Sequence, residues 1–424
     1  MRTRAVPTCI LVAAALASAG AAEPAAPVEA PAWAKSLVPG TWTAVSKNTP
    51  ADVDPAKDPK VNPNRPDSAP WKANLGQYGV IGVWNGGALA THCGAKGSLI
   101  LYGGGHKGYY GNEVYAFDLE RCLWSRVTDP YTGPLKYNEG KDAYPEGRHP
   151  DGTPTASHTY DQVDYHPGSN SFITFRSERN NLGGYMVHTA FLLSFDTRMW
   201  RRSPKNDKGH GTSGGCSAYD SSRDVFWVHG GAGPTTFAKF DPKVKNPDGT
   251  VGQWTNYATK LGGGMDLAAA HDPVRDLVVI ANFRKDSSTE ALRGVCAIDL
   301  KSPDGAIVRL NDEGPKPAID GKNGAAGWEW SPLRRAILYW RRGADVLELK
   351  PPAGDWKTGA WNWSVITAAA ANKAEPEKMR EDNGVYSRFR IASYADAEVA
   401  VVINNIAGPV WAFRVPEPAK ADKR

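Results

Sequence analysis

What most restricts the fold of this chain is a four-part pattern that recurs along it. Its clearest copy has small residues at 84–90, SLILY at 98–102, a glycine loop, NEVYAFD at 112–118 and CLWSRV at 122–127. A second copy runs through 158–165, SFITF at 171–175, AFLLSFD at 190–196 and a stretch around Trp200. A third has 216–219, VFWVHGG at 225–231, TFAKFD at 236–241 and QWTNYA at 253–258. The fourth has 267–270, LVVIANF at 277–283, VCAIDL at 295–300 and AIVRL at 306–310. GWEW at 327–330, AILYW at 336–340, DVLELK at 345–350 and WNWSVI at 361–366 make the fifth. The sixth has 388–393, VAVVIN at 399–404 and VWAFRV at 410–415, and lacks its last part. Second parts begin near 98, 171, 225, 277, 336 and 399, a period of roughly 50 to 70 residues. Four short strands per unit, with a large residue in the fourth, describe radially arranged sheets. The expected fold is therefore all-β, a single β-propeller of six four-stranded blades. TWTAVS at 41–46 has the character of the missing strand and would close the ring, leaving no open edge. A seventh blade is the alternative, but it would have to come from 47–80, which is rich in Pro, Asp and Asn and reads as loop.

Composition agrees. The 44 Gly and 32 Pro suit a chain of many tight turns. The 15 Trp fall largely in strands, as at Trp124, Trp200, Trp227, Trp254, Trp330, Trp340, Trp363 and Trp411. With 41% hydrophobic residues, the chain can bury a large core, which excludes intrinsic disorder. The boundaries drawn are a leader at 1–22, an Ala/Pro-rich linker at 23–39, the propeller at 40–415 and a C-terminal tail at 416–424.

Arg2 and Arg4, the apolar run 9–17 and the small residues at 17–21 have the form of a secretory signal. A periplasmic or secreted monomer is expected. No later segment reaches the roughly 18 apolar residues of a membrane span, so none is expected in the mature chain. The formal charge is +5, and the leader carries two arginines and no acid, which leaves +3. That bias is mild, and without a basic run it argues against a nucleic-acid partner. Cys93, Cys122, Cys216 and Cys296 are too scattered for a stapled scaffold. Cys93 and Cys122 share a unit and are the best-placed disulfide pair, with buried free thiols the alternative.

The stretch LILYGGGHKGYYGNEVYAFDLERCLWSRV at 99–127 runs apolar strand, Gly-Gly, aromatic-x-x-Asp and Trp. In this it resembles a blade of kelch or galactose-oxidase-like propellers, and HGG at 229–231 is the next clearest trace. More narrowly, GGGHxxYYGNExY and the later SHTYD at 157–161 are similar to exported propeller polysaccharide lyases of the ulvan-lyase type. The first resemblance implies the fold. The second implies an acidic, uronate-containing polysaccharide as partner and its cleavage by β-elimination.

In a propeller, the loops between second and third strands and the links between blades open on one face. The turns between first and second strands open on the other. His92, His166 and His271 fall in such turns and read as hairpin punctuation. The other six histidines fall on the first face: His106, His188 and His229 in loops, His149, His158 and His210 in links. Tyr109, Tyr110, Arg176, Arg179, Tyr185, Arg284, Lys285, Arg341 and Arg342 belong to the same loops. Basic and phenolic groups with few acids suit an anionic ligand.

Eliminating across a uronate needs a cation on the carboxylate, a base for the C5 proton and an acid for the departing oxygen. The loop RSERNNLGGYMVH at 176–188 offers all three chemistries beside His106 and Tyr110. By resemblance to the lyases, His106 and Tyr185 would transfer protons and Arg176 or Arg179 would hold the carboxylate. Tyr109, Tyr110, His158, His188, His210, His229, Arg284 and Arg341 would contact substrate. Cofactor and metal are left open. A Zn site using His210 and Cys216 lacks tight ligand spacing, and no carboxylate pair marks a glycoside hydrolase. The rival reading is a non-catalytic kelch-like module that binds glycan or protein through the same loops. A third is a sugar epimerase of the kelch type.

Overall fold

Alternation within single strands sets the architecture. In 99–102, Leu99 and Leu101 pack with one hydrophobic cluster and Ile100 and Tyr102 with another, and all four are fully buried. A sheet buried on both faces must lie between two neighbours. A computed structural model describes residues 28–61, 75–105, 108–134, 143–178, 186–209, 213–231, 237–257, 264–284, 292–319, 325–368, 370–377 and 383–418. Its sheets are six antiparallel blades around a common axis.

Blade 1 comprises Gly87–Ala90, Ser98–Leu101, Tyr115–Asp118 and Leu123–Arg126, and blade 2 Val163–His166, Ser171–Thr174, Phe191–Ser194 and Trp200–Arg202. Blade 3 has Cys216–Asp220, Val225–His229, Phe237–Lys245 and Val251–Tyr257; blade 4 has Ala268–Asp272, Leu277–Asn282, Gly294–Asp299 and Val308–Arg309. Blade 5 has Gly327–Ser331, Ala336–Trp340, Leu347–Lys350 and Trp361–Val365, with Asp312–Glu313 added in parallel at its outer edge. Blade 6 takes Arg390–Ser393, Glu398–Val402 and Trp411–Arg414 from the end of the chain and Trp42–Ala44 from its beginning. Trp42 pairs with Phe413 and Ala44 with Trp411, the closure read from 41–46. Trp42 also packs 5.3 Å from Trp340 and 5.2 Å from Phe413, between blades 5 and 6. Among the described residues, no strand lies between Ala44 and Gly87, so there is no seventh blade there. No described helix is long and apolar enough to cross a membrane.

Six hydrophobic clusters fill the six seams between successive blades. This partition overturns the disulfide expectation. Cys93 packs in the seam between blades 1 and 2, whereas Cys122 packs between blades 6 and 1, on opposite faces of one sheet. All four described cysteines are free thiols. The linker expectation also changes from residue 28 onward. Ala30 N–H donates to Asp396 Oδ1 at 2.8 Å and the Trp33 indole to Leu119 O at 2.5 Å, which docks this segment across the blade 6–blade 1 seam.

The inner strands contact their successors around the ring. Just before each of them the backbone turns through the left-handed region: Trp84 (φ 57°), Tyr160 (50°), Gly214 (75°), Asp266 (61°), Ala325 (59°) and Tyr386 (50°). Five of the six are not glycine, and each costs on the order of 1–3 kcal/mol. Backbone bonds link them in sequence, from Tyr160 N to Trp84 O (2.7 Å), Ala325 N to Asp266 O (3.0 Å) and Tyr386 N to Ala325 O (3.1 Å). The chain accepts this strain to bring six distant segments to one point on the axis.

Candidate functional site

At that point Tyr160, Ala325 and Tyr386 form a small cluster of their own, with Trp84 packed against it. Tyr160 and Tyr386 meet edge to face at 5.7 Å. His158 lies 5.9 Å from the Tyr160 ring and 5.0 Å from Trp84. The Arg176 guanidinium covers the Tyr160 ring at 4.7 Å. The Tyr386 hydroxyl donates to Asp266 Oδ1 at 2.7 Å, and Arg284 forms an ion pair with the other oxygen of Asp266. Arg176, Arg284 and Arg341 follow the ends of the second strands of blades 2, 4 and 5 at Thr174, Asn282 and Trp340, and Tyr386 feels the Arg341 charge, so closely similar blade positions deliver all three to the mouth.

Arg176 is the unusual member. It is only 1% exposed, and Nη2 donates to the Met186 sulfur at 3.0 Å. Its Nε and Nη1 have no hydrogen-bond partner among the described residues. Burial pulls its pKa down, against the pull of Tyr160 and Glu178. A guanidinium without hydrogen-bonded counter-groups costs several kcal/mol to bury. Tyr160 is pushed the other way: burial raises its phenol, and the Arg176 charge opposes the rise.

The structure thus brings together Arg176, His158, Arg284 and Arg341 of the residues expected from sequence. Others it places elsewhere. The Tyr109 and Tyr115 hydroxyls both donate to Glu113 Oε1 at 2.6 Å, so the Tyr109 phenol is spent inside the protein. Tyr110 packs in the seam between blades 6 and 1. His229 is a buried strand residue paired with Cys216 and Phe237, and burial lowers its pKa to about 4. His188, just before the third strand of blade 2, lies by Asn206 and Gly209 of the link that follows that blade. His106, Arg179, Tyr185 and His210 lie outside the described residues. Sequence reasoning missed Trp84, Tyr160, Asp266 and Tyr386. Tyr160 stood inside the quoted SHTYD, but the four share only a position shortly before a first strand, at no fixed offset, and differ in chemistry.

The opposite, turn face carries the three histidines assigned to hairpins. His166 Nδ1 accepts from Ser169 N–H at 3.1 Å, the expected punctuation. Its Nε2 also reaches Asp224 of the next blade at 2.8 Å. Asp220, His271 and Asp276 bring three ligand atoms within 4.8 Å of one another, a metal-sized grouping. The Arg223 guanidinium bonds both oxygens of Asp276 at 2.6 Å and one of Asp220 at 2.6 Å, so a protein cation already holds that position.

The fold and the mouth define a six-bladed β-propeller, closed by its own N-terminal strand, with arginines gathered at one end of the axis. No protein-family model and no curated protein matches the chain. Among solved structures the chain is similar to the major allergen Mala s 1 of Malassezia sympodialis, at 10% identity and a TM-score of 0.42, over 80% of this chain and 94% of that one. The propeller assignment rests on the six blades themselves.

Proposed function

We propose that this is an exported propeller that binds a uronate-bearing polysaccharide across the mouth and cleaves it by β-elimination. The observation behind this reading is Arg176, buried over a phenol with two nitrogens unpartnered among the described residues. A planar guanidinium with donors in hand matches a carboxylate bidentately. There it would neutralise the uronate and stabilise the charge that develops when the C5 proton leaves. The electron pair of that C–H bond forms the C4–C5 double bond, and the C4–O bond breaks. A base takes the C5 proton and an acid supplies one to the departing oxygen. Tyr160, held protonated by its burial, suits the acid. His158, beside it, and His106 are the histidines for the base. Export follows from the leader at 1–22.

The test is to incubate the mature chain with a panel of uronate polymers and follow the ultraviolet absorbance of the unsaturated product. Activity on one polymer is expected, with Arg176→Ala losing about a hundredfold or more. The Arg176 guanidinium over the Tyr160 ring serves equally the second reading, a glycan-binding module without chemistry, since holding a carboxylate needs no proton transfer. Binding of a polymer with no absorbance change would select that reading. Neither binding nor cleavage would sink both.

A further inference from the structure

Blade 3 is extended on the turn face. Its third strand, Phe237–Lys245, has nine residues where its counterparts have four to six. After a register shift between Asp241 and Lys245 the hairpin runs on and returns through Val251. Its tip leans towards blade 2: bonds from Thr250 hold the Asp248 carboxyl below its usual range, and the charge of Arg202 in blade 2 adds to this. Between the hairpin and blade 2 lies a cavity of about 410 Å³, large enough for a small ligand. Strand pairing fixes its blade 2 wall. His166 stands opposite Ser171, Ser171 opposite Ser194 and Leu192 opposite Arg201, all on one face of the sheet. The hairpin supplies the other wall with Lys243 and Lys245. Among the described residues one acid lines the cavity, Asp224, and it is spent. Its Oδ1 bonds the Tyr219 hydroxyl (2.7 Å) and His166 Nε2 (2.8 Å), and its Oδ2 lies 3.4 Å from Lys243. Lys243 is committed too, to Asp241 at 3.2 Å and to the Arg223 carbonyl at 3.3 Å. Arg201 and Lys245 lie exposed in the lining, and neither pairs with an acid among the described residues.

The neighbouring seam shows what is particular to this one. The corresponding groove between blades 1 and 2, of about 180 Å³, is lined by Ser98, Asp118 and Ser125. Ser98 stands opposite Asp118 and Ala116 opposite Ser125, so Asp118 and Ser125 occupy in blade 1 the positions of Ser194 and Arg201 in blade 2. The arginines of that groove are answered: Arg126 pairs with Asp58 and Asp129, and Arg198 shares the groove with Asp118. Asp118 also has a local task, accepting from Glu120 N–H (2.8 Å) and Arg121 N–H (2.9 Å) in the turn that follows. Asp241 and Asp299 do likewise in blades 3 and 4, at 3.0 and 3.1 Å. In blade 2 Ser194 Oγ takes over, accepting from Thr197 N–H at 3.3 Å. The turn keeps its bond, and the groove loses a negative charge. Arg201, where blade 1 has a serine, adds a positive one. Both departures push the cavity between blades 2 and 3 the same way.

We infer that this cavity binds a small phosphate monoester. Such a group carries a charge of about −1.5 to −2 at neutral pH, which the two uncommitted cations, Arg201 and Lys245, would neutralise. Arg201 would take two oxygens through its planar fork, and Lys245 a third as a point charge. Ser194 Oγ, whose one bond is as acceptor, keeps its hydrogen for the ligand. The test is calorimetric titration of the mature chain with glycerol 3-phosphate, with glycerol as the uncharged control and methyl sulfate as the singly charged one. Saturable binding of the phosphate, none of glycerol and about tenfold weaker binding of methyl sulfate are expected. Ser194→Asp restores the carboxylate that serves this turn in blades 1, 3 and 4, and should weaken phosphate binding about tenfold or more. Arg201→Ala, at an exposed position, carries the same expectation should Ser194→Asp fail to fold. No saturable phosphate binding, glycerol or methyl sulfate binding as tightly, or binding unchanged by these substitutions, as for an anion held at the mouth, would overturn the inference.

Discussion

Two buried arginines near the mouth make a controlled comparison. Arg388, at the seam where blade 6 meets blade 1, donates to Ile403 O (3.0 Å), Gly384 O (2.7 Å), Ile81 O (3.4 Å) and Asn85 O. Arg176, above blade 2, is as deeply buried and has two nitrogens without a partner among the described residues. Both lose solvation, and burial lowers the pKa of each, that of Arg388 to about 9. Only one recovers the loss within the protein. Burial alone thus does not sort structural charges from functional ones; the count of unmet donors does.

The largest effect is expected at the spent member. Arg388→Ala would strand several carbonyls at the ring closure and should cost about 3 kcal/mol or more in denaturant unfolding. A loss under about 1 kcal/mol would break the comparison, because Arg388 would then be no better satisfied than its counterpart. Arg176→Met should act in the opposite direction. With the uncompensated charge gone, stability should rise by about 1–2 kcal/mol while polymer binding is lost. A destabilised Arg176→Met would show that the guanidinium has a structural role.

A smaller effect is expected from a third buried arginine, Arg390, whose partners include acids. Asp161, Asp164 and Glu329 have folded pKa values raised above their unfolded ones. Over that window the folded state binds more protons than the unfolded state, so stability must fall as pH rises past the ordinary carboxylate range. Glu329→Gln should flatten this slope relative to the parent chain in unfolding curves recorded from acid to neutral pH. An unchanged slope would mean that Arg390 fully compensates its acids.

How much of this was legible in the sequence depends on the range of the interaction. The six units, and the strand at 41–46 that closes the ring, were readable because alternation and turn chemistry are local. Arg176, Arg284 and Arg341 were reachable because a blade position recurs. The axial ring was not. Trp84, Tyr160, Gly214, Asp266, Ala325 and Tyr386 share a backbone conformation but no chemistry, and only closure brings them together. Arg388 and Arg390, two residues apart, serve different ends of the axis, one bonding carbonyls and the other both carbonyls and the Glu329 carboxylate. No spacing in one dimension distinguishes them. The cysteine pair failed for a related reason, since proximity along the chain says nothing about which face of a sheet each thiol occupies.

The pairing of Trp42 with Phe413 also has a consequence in time. During synthesis the strand at Trp42–Ala44 emerges long before the strand it pairs with and stays without its partner until Trp411–Arg414 has been made. Until then blade 6 has no outer strand, and the seam holding Trp42 against Trp340 is open. The slow step of folding should therefore be this final long-range pairing, since non-local contacts bear the entropy of loop closure before they return any energy.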